Sequence, residues 1–262
     1  MSAKNMLGNF AKEFEEYVRP RCFPLAVKLL ENEKDIPKDA IRPKKDLGVQ
    51  LSLCQAYGMS RREGEVIAML KEDMWCPEPI ICYGLVEPPS YFLEGRMNFL
   101  EEEKVRYVKN LAAAKNLANS IPRFEPGKYI GVVSSPTEKA KFNPDLIMVY
   151  CNPAQVTHLT VSAGYTTGNA ITSTMGGGAC VRSVIPAMQT KQYQIAIPRG
   201  GDRRWGLAQD DELVFTIPAE KMDEIMEGLR AIAGRYPVSF LMKPNHELPS
   251  MYMRTREILG LA

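Results

Sequence analysis

The residues best suited to chemistry in this chain are cysteines placed beside turn-forming residues. Six cysteines are present: Cys22, Cys54, Cys76, Cys82, Cys151 and Cys180. Cys180 follows a run of three glycines, Gly176-Gly177-Gly178. Glycines in series permit positive φ angles and let backbone approach another group closely. Residues 179–185 have room for about two turns of helix before Pro186 interrupts them. Cys180 is then expected in the first turn of a helix. Unpaired N–H groups and partial positive charge there favour a bound anion and lower a thiol's pKa toward the thiolate. Cys76 precedes Pro77, a residue suited to the first helical position, so its setting is similar. Cys54 is expected on a short helix over residues 47–57, beside Gln55.

Three thiolates at Cys54, Cys76 and Cys180 could hold an iron–sulfur cluster or a related metal cofactor, whose usual ligands are cysteines. Cys82 could be a fourth ligand, or the fourth could be missing. An iron without a protein ligand can bind substrate as a Lewis acid. A second reading makes Cys180 a metal-free nucleophile. It then needs a base, and the imidazole candidates are His158 and His246. A third reading is a non-catalytic accessory protein holding a small ligand or a partner. Against all three stands burial of the cysteines as small apolar residues. Whether the protein is an enzyme stays open at this level. So few histidines argue against a His-rich metal centre, and Cys76 and Cys82 are too far apart for a C-x-x-C zinc motif.

A second candidate stretch is the loop from Arg199 to Gly206, with Gly200, Gly201, Arg203, Arg204 and Trp205. Arginine offers a bidentate fork for carboxylate or phosphate, and tryptophan a stacking face. A small anionic ligand held by Gly176, Gly177, Gly178, Arg203, Arg204 and Trp205 is the functional reading. A solvated turn with Asp202 paired to a neighbour is the other. Neither the phosphate-binding G-x-x-x-x-G-K-[ST] nor the dinucleotide G-x-G-x-x-G pattern is present.

The elements that must position these residues follow from periodicity and punctuation. Met6, Leu7, Phe10, Phe14, Tyr17 and Val18 have helical spacing over residues 4–18. Strands are expected at 23–30, 65–70, 128–135, 145–150, 169–175, 193–197 and 212–217. Helices are expected at 101–119, at 153–161 behind an Asn152 cap, at 219–233 and at 250–259. The mixture lacks strict alternation, which points to an α+β domain, a mixed sheet with flanking helices. A single domain over residues 1–262 is expected. Its core is about 20–233, followed by a Pro-rich tail over 236–262 that ends in a short helix.

The chain has 262 residues, 45% hydrophobic and 24% charged, with 33 Lys and Arg against 31 Asp and Glu, a net charge of +2. That balance points away from nucleic acid or a charged membrane surface. No apolar run approaches the ~18 residues of a membrane span, and residues 1–10 lack a secretory signal. A cytoplasmic location is expected, and there six cysteines are not a disulfide framework.

Several motifs in order resemble one family: Pro24-Leu25-Ala26-Val27-Lys28-Leu29, Cys54-Gln55-Ala56, Asp73 to Cys76 with Gly84-Leu85, Tyr150-Cys151-Asn152-Pro153-Ala154-Gln155, Cys180, Gly201-Asp202-Arg203-Arg204, Asp210-Asp211-Glu212-Leu213 and Ile217-Pro218-Ala219. Together they resemble a widespread uncharacterised prokaryotic family catalogued as a domain of unknown function, common in archaea and anaerobic bacteria. The resemblance covers residues 20–233. It implies a single domain, with cysteines at Cys54, Cys76 and Cys180 as the family set and Cys22, Cys82 and Cys151 as additions. The expectation is therefore a cysteine-lined pocket of anaerobic metabolism, with Arg203, Arg204 and Trp205 closing over it. A homo-oligomer or a partner enzyme would be compatible with it.

Overall fold

Six strands form one sheet in the order β2-β5-β1-β6-β8-β7 in a computed structural model that describes residues 3–100, 105–233 and 250–261. Its strands are β1 (Leu25–Leu30), β2 (Ile67–Leu70), β5 (Gly131–Pro136), β6 (Leu146–Cys151), β7 (Gln194–Ala196) and β8 (Leu213–Pro218). β3 (Phe99–Leu100) and β4 (Val105–Arg106) form a separate two-stranded hairpin. Among the described residues the helices are α1 (Ala3–Val18), α2 (Leu53–Glu63), α3 (Pro77–Cys82), α4 (Ser90–Leu93), α5 (Leu111–Ser120), α6 (Pro153–Ala163), α7 (Ala179–Arg182), α8 (Val184–Thr190), α9 (Gly200–Arg204), α10 (Met222–Ile232) and α11 (Ser250–Ile258). The architecture is the expected α+β domain with flanking helices. Every strand pair within the large sheet is antiparallel, where a mixed sheet was expected.

The sheet is covered on both faces, and strand alternation sorts its residues between two cores. Leu25, Val27, Met148 and Tyr150 pack with α2, α3, α7 and α8. Ala26, Ile147, Val149 and Cys151 pack with α1, α6 and α10. β5 and β6 therefore have every residue buried. In α1, Leu7, Phe10, Phe14 and Val18 are buried at helical spacing. Each such side chain contributes about 1.5–3 kcal/mol over leaving it exposed.

The differences from expectation have local causes. The helix expected at 101–119 starts at Leu111, because the Asn110 side chain accepts the Ala113 N–H at 2.9 Å and caps it there. Its first part falls on the hairpin and on residues 101–104, which lie outside the described residues. Residues 169–175 do not form a strand. Ser173 Oγ accepts the Ile195 N–H at 2.9 Å, so a side chain takes a donor that a neighbouring strand would have used. Pro186 does not interrupt a helix. It is the third residue of α8, where its missing N–H would have had no helical partner. The expected helix over 47–57 begins at Leu53, set by Ser52, which accepts the Gln55 N–H while Gln55 accepts the Ser52 N–H. The Pro-rich tail from 236 to 249, with His246, lies outside the described residues. No helix among them is long and apolar enough to cross a membrane.

Candidate functional site

Cys54, Cys76 and Cys180 come from three separate helix starts and line one cavity of about 600 Å³. Cys54 is the second residue of α2, Cys76 the N-cap of α3, and Cys180 the second residue of α7. Each position follows from its local sequence. The Ser52–Gln55 capping box starts α2. Pro77 fixes the first φ of α3. Gly178 starts α7 at φ 109°, a conformation a side chain resists.

Neighbouring groups hold the three cysteines in place. Cys54 Sγ donates to the Gly201 carbonyl at 3.4 Å and lies 3.1 Å from Ser52 Oγ. Tyr83 donates to the Cys180 carbonyl at 2.6 Å, and Tyr57 and Tyr83 share a hydrogen bond of 3.1 Å. Asp202 links α9 to α7. Its Oδ2 accepts the Arg199 N–H at 2.8 Å and the Ala179 N–H at 3.1 Å. Buried Arg61 on α2 holds the far side of this loop, donating to the Gly206 carbonyl at 3.0 Å and pairing with Glu212 at 3.3 Å. Its guanidinium carbon lies 4.0 Å from the centre of the Tyr150 ring.

The electrostatics reverse one expectation. Burial pushes the Cys54 thiol up to about 11 and the Cys76 thiol up to about 12. Burial also raises Cys180 well above the usual thiol range, and the nearby negative charge of Asp202 adds to this. Helix starts were expected to lower the values of Cys76 and Cys180. α3 and α7 have only six and four residues, so their dipoles are small, and desolvation wins. Burial raises Asp202 and Glu78 as well. Backbone N–H groups oppose the shift at Asp202, and Arg199 opposes it at Glu78.

The remaining expected site residues divide. Gly178, Arg204 and Trp205 line the cavity. Gly176 packs against the Arg182 side chain and Gly177 against Arg199, behind the wall. Arg203 turns away, donating to the Gln209 carbonyl at 2.7 Å. The Arg203/Arg204/Trp205 stretch, expected as a loop, is the end of the one-turn helix α9. Cys82 and Cys151 are buried in the cores on either face of the sheet. Cys22 opens on a different cavity of about 450 Å³, next to Arg61. His158 is buried on α6, across the sheet from the cysteines.

Sequence reading missed Asp202, Glu78 and Trp75 as wall residues, while Arg199, counted among the arginines of the anion-binding loop, does line the cavity. For Asp202 a signal existed. Arg199 and Asp202 stand three apart, the spacing of an N-cap and the acid that reaches back to it. Trp75 meets Trp205 edge to face with ring centres 5.1 Å apart, so both tryptophans of the chain stand in the cavity wall. Among the described residues no group of three or more His, Cys, Asp or Glu side chains is arranged to hold a single metal ion.

Comparison with known proteins agrees with the family resemblance. The chain is 24% identical over 237 residues to the uncharacterized protein MJ0308 of Methanocaldococcus jannaschii, covering 87% of this chain and 95% of that protein. No solved structure matches. Residues 13–228 match the family described as DUF169, uncharacterised ArCR. That match spans both faces of the sheet and all three cavity cysteines, and the chain belongs to the DUF169 family.

Proposed function

We propose that the cavity holds an iron–sulfur cluster or a related metal cofactor through Cys54, Cys76 and Cys180, and that the protein uses it to bind a small anionic ligand. The observation carrying this reading is the convergence of the three cysteines on one cavity from three separate helix starts. A cluster spreads its ligands over several irons. It therefore needs sulfurs placed around a space, not gathered at one ion. Burial that disfavours three free thiolates also favours a cationic partner, since metal binding draws the protons off its ligands. Cys82 lies in the core, which leaves the set at three and one iron without a cysteine.

Arg199 and Arg204 in the wall suit an anion. The same reading places the protein in the cytoplasm of an anaerobic cell, where a cluster with an open iron survives. A metal-free nucleophile at Cys180 has less support, because its thiol is held protonated and His158 stands across the sheet. The test is anaerobic purification with measurement of iron, sulfide and visible absorption. Iron and colour lost together in Cys54→Ser, Cys76→Ser and Cys180→Ser variants are expected. Colourless, iron-free protein after anaerobic reconstitution would overturn the reading.

A further inference from the structure

We infer that the cavity takes a small carboxylic acid that also carries a hydrogen-bond donor, an α-hydroxy or α-amino acid, with its carboxylate at Arg204 and its O–H or N–H at Asp202. The inference rests on the reading of this cavity as an anion-binding site and adds the ligand's chemistry. Among the described residues, a buried acceptor without a partner and an exposed wall cation without an ion pair carry it.

The first is Asp202, which is 3% exposed. Backbone N–H groups occupy its Oδ2, but Oδ1 is buried and has no partner. An acceptor shut away from water without a donor costs the full desolvation of that oxygen. Asp202 lines the cavity, and a ligand O–H or N–H that displaces the wall atoms covering Oδ1 removes the cost. The second is Arg204. Its guanidinium lies over the Trp205 ring, 5.4 Å from its centre, and no ion pair among the described residues involves it. The neighbouring cations are already engaged. Arg203 is turned to Gln209 and Asp210. Arg199 stands 3.9 Å from Glu78 and lies over the Tyr107 ring. Arg204 is thus the wall cation left for an incoming carboxylate, and Asp202 the wall acceptor left for a donor. Trp75, Trp205, Met97 and Pro79 supply apolar surface for the rest of the molecule.

The two tryptophans also make the cavity readable, because the whole intrinsic tryptophan emission of the chain comes from its wall. Three ligands of matched size, phenyllactate, phenylalanine and 3-phenylpropanoate, differ in having a hydroxyl, an ammonium or neither. They are titrated into metal-free and iron-loaded protein while tryptophan emission is followed. Saturable binding of phenyllactate or phenylalanine is expected, with 3-phenylpropanoate about tenfold weaker or worse, the scale of one buried hydrogen bond. The tighter of the two donor ligands identifies the donor. Asp202→Asn can keep the backbone contacts through its amide oxygen while presenting NH2 in place of Oδ1, so it should erase the difference. Arg204→Ala should weaken all three alike. Absence of saturation by any ligand, equal affinity for all three, or an unchanged difference in Asp202→Asn would each overturn the inference. If Asp202→Asn does not fold, the ligand series on the unaltered protein decides. Iron and sulfide measured on the same samples keep the two readings apart. Iron without ligand discrimination removes only the ligand class, and discrimination without iron removes only the cluster.

Discussion

The Tyr83 hydroxyl donates to the Cys180 carbonyl at 2.6 Å, and this bond ties the helix carrying one cavity cysteine to the helix that starts at another. Tyr83 is fully buried, and its hydroxyl also meets that of Tyr57. The cavity wall is thus held from behind by a chain of buried hydroxyls. Removing the middle hydroxyl leaves the Cys180 carbonyl and the Tyr57 hydroxyl short of a partner.

Tyr83→Phe should therefore destabilise the protein by about 1–3 kcal/mol, the cost of leaving buried polar groups unsatisfied. Urea unfolding measures it. A shift within about 0.5 kcal/mol, the range of a surface substitution, would mean that the bond does not hold the wall.

The raised thiols predict slow alkylation in the metal-free protein. A thiol moved from 9.0 to about 11, as at Cys54, exposes roughly a hundredfold less thiolate at pH 8 than an ordinary one. Iodoacetamide labelling of Cys54 and Cys76, read by peptide mass spectrometry, should lag well behind that of a free model thiol and accelerate toward pH 11. Stability should run the opposite way. The folded state keeps protons that the unfolded thiols release above pH 9, so stability is full below that pH and falls as pH rises through 11 to 12. Cys54→Ala should flatten that alkaline fall. A fall of unchanged steepness would assign it to other groups.

Two glycines at the ends of the α9 segment should respond differently. A Cβ at Gly206 would lie 2.7 Å from the Cys54 carbonyl oxygen and 2.8 Å from that of Asp202, whereas one at Gly200 meets nothing within 4 Å. Gly206→Ala should push α9 away from α2 and cost about 1–3 kcal/mol, as overpacking does. Gly200→Ala should change little. Thermal melts of the pair compare them directly, and equal melting temperatures would show that α9 does not need its close approach to α2.

Local chemistry in the sequence determined most of the elements and the outline of the site. The spacing of Leu7, Phe10, Phe14 and Val18 specified α1, Pro77 the start of α3, and Asn152 the start of α6. Cys76 and Cys180 could be singled out because each stands beside an expected helix start, a property of a few adjacent residues, whereas Cys54 was read inside a helix over 47–57 and only the structure puts it at a helix start. Tertiary structure decided what lies between elements distant in the chain. Arg204 rather than Arg203 reaches the cavity because Arg203 bonds a carbonyl in the following turn. Gly176 and Gly177 stand behind the wall because Arg182 and Arg199 fill the space next to them. The Cys76 and Cys180 thiols rise instead of falling because burial is summed over every surrounding element, while the helix-start effect belongs to one short turn. Asp202 became a buried wall residue only when α7 brought the Ala179 N–H to it from 23 residues away. Such pairings carry no local periodicity, so they are settled only when the helices pack on the sheet.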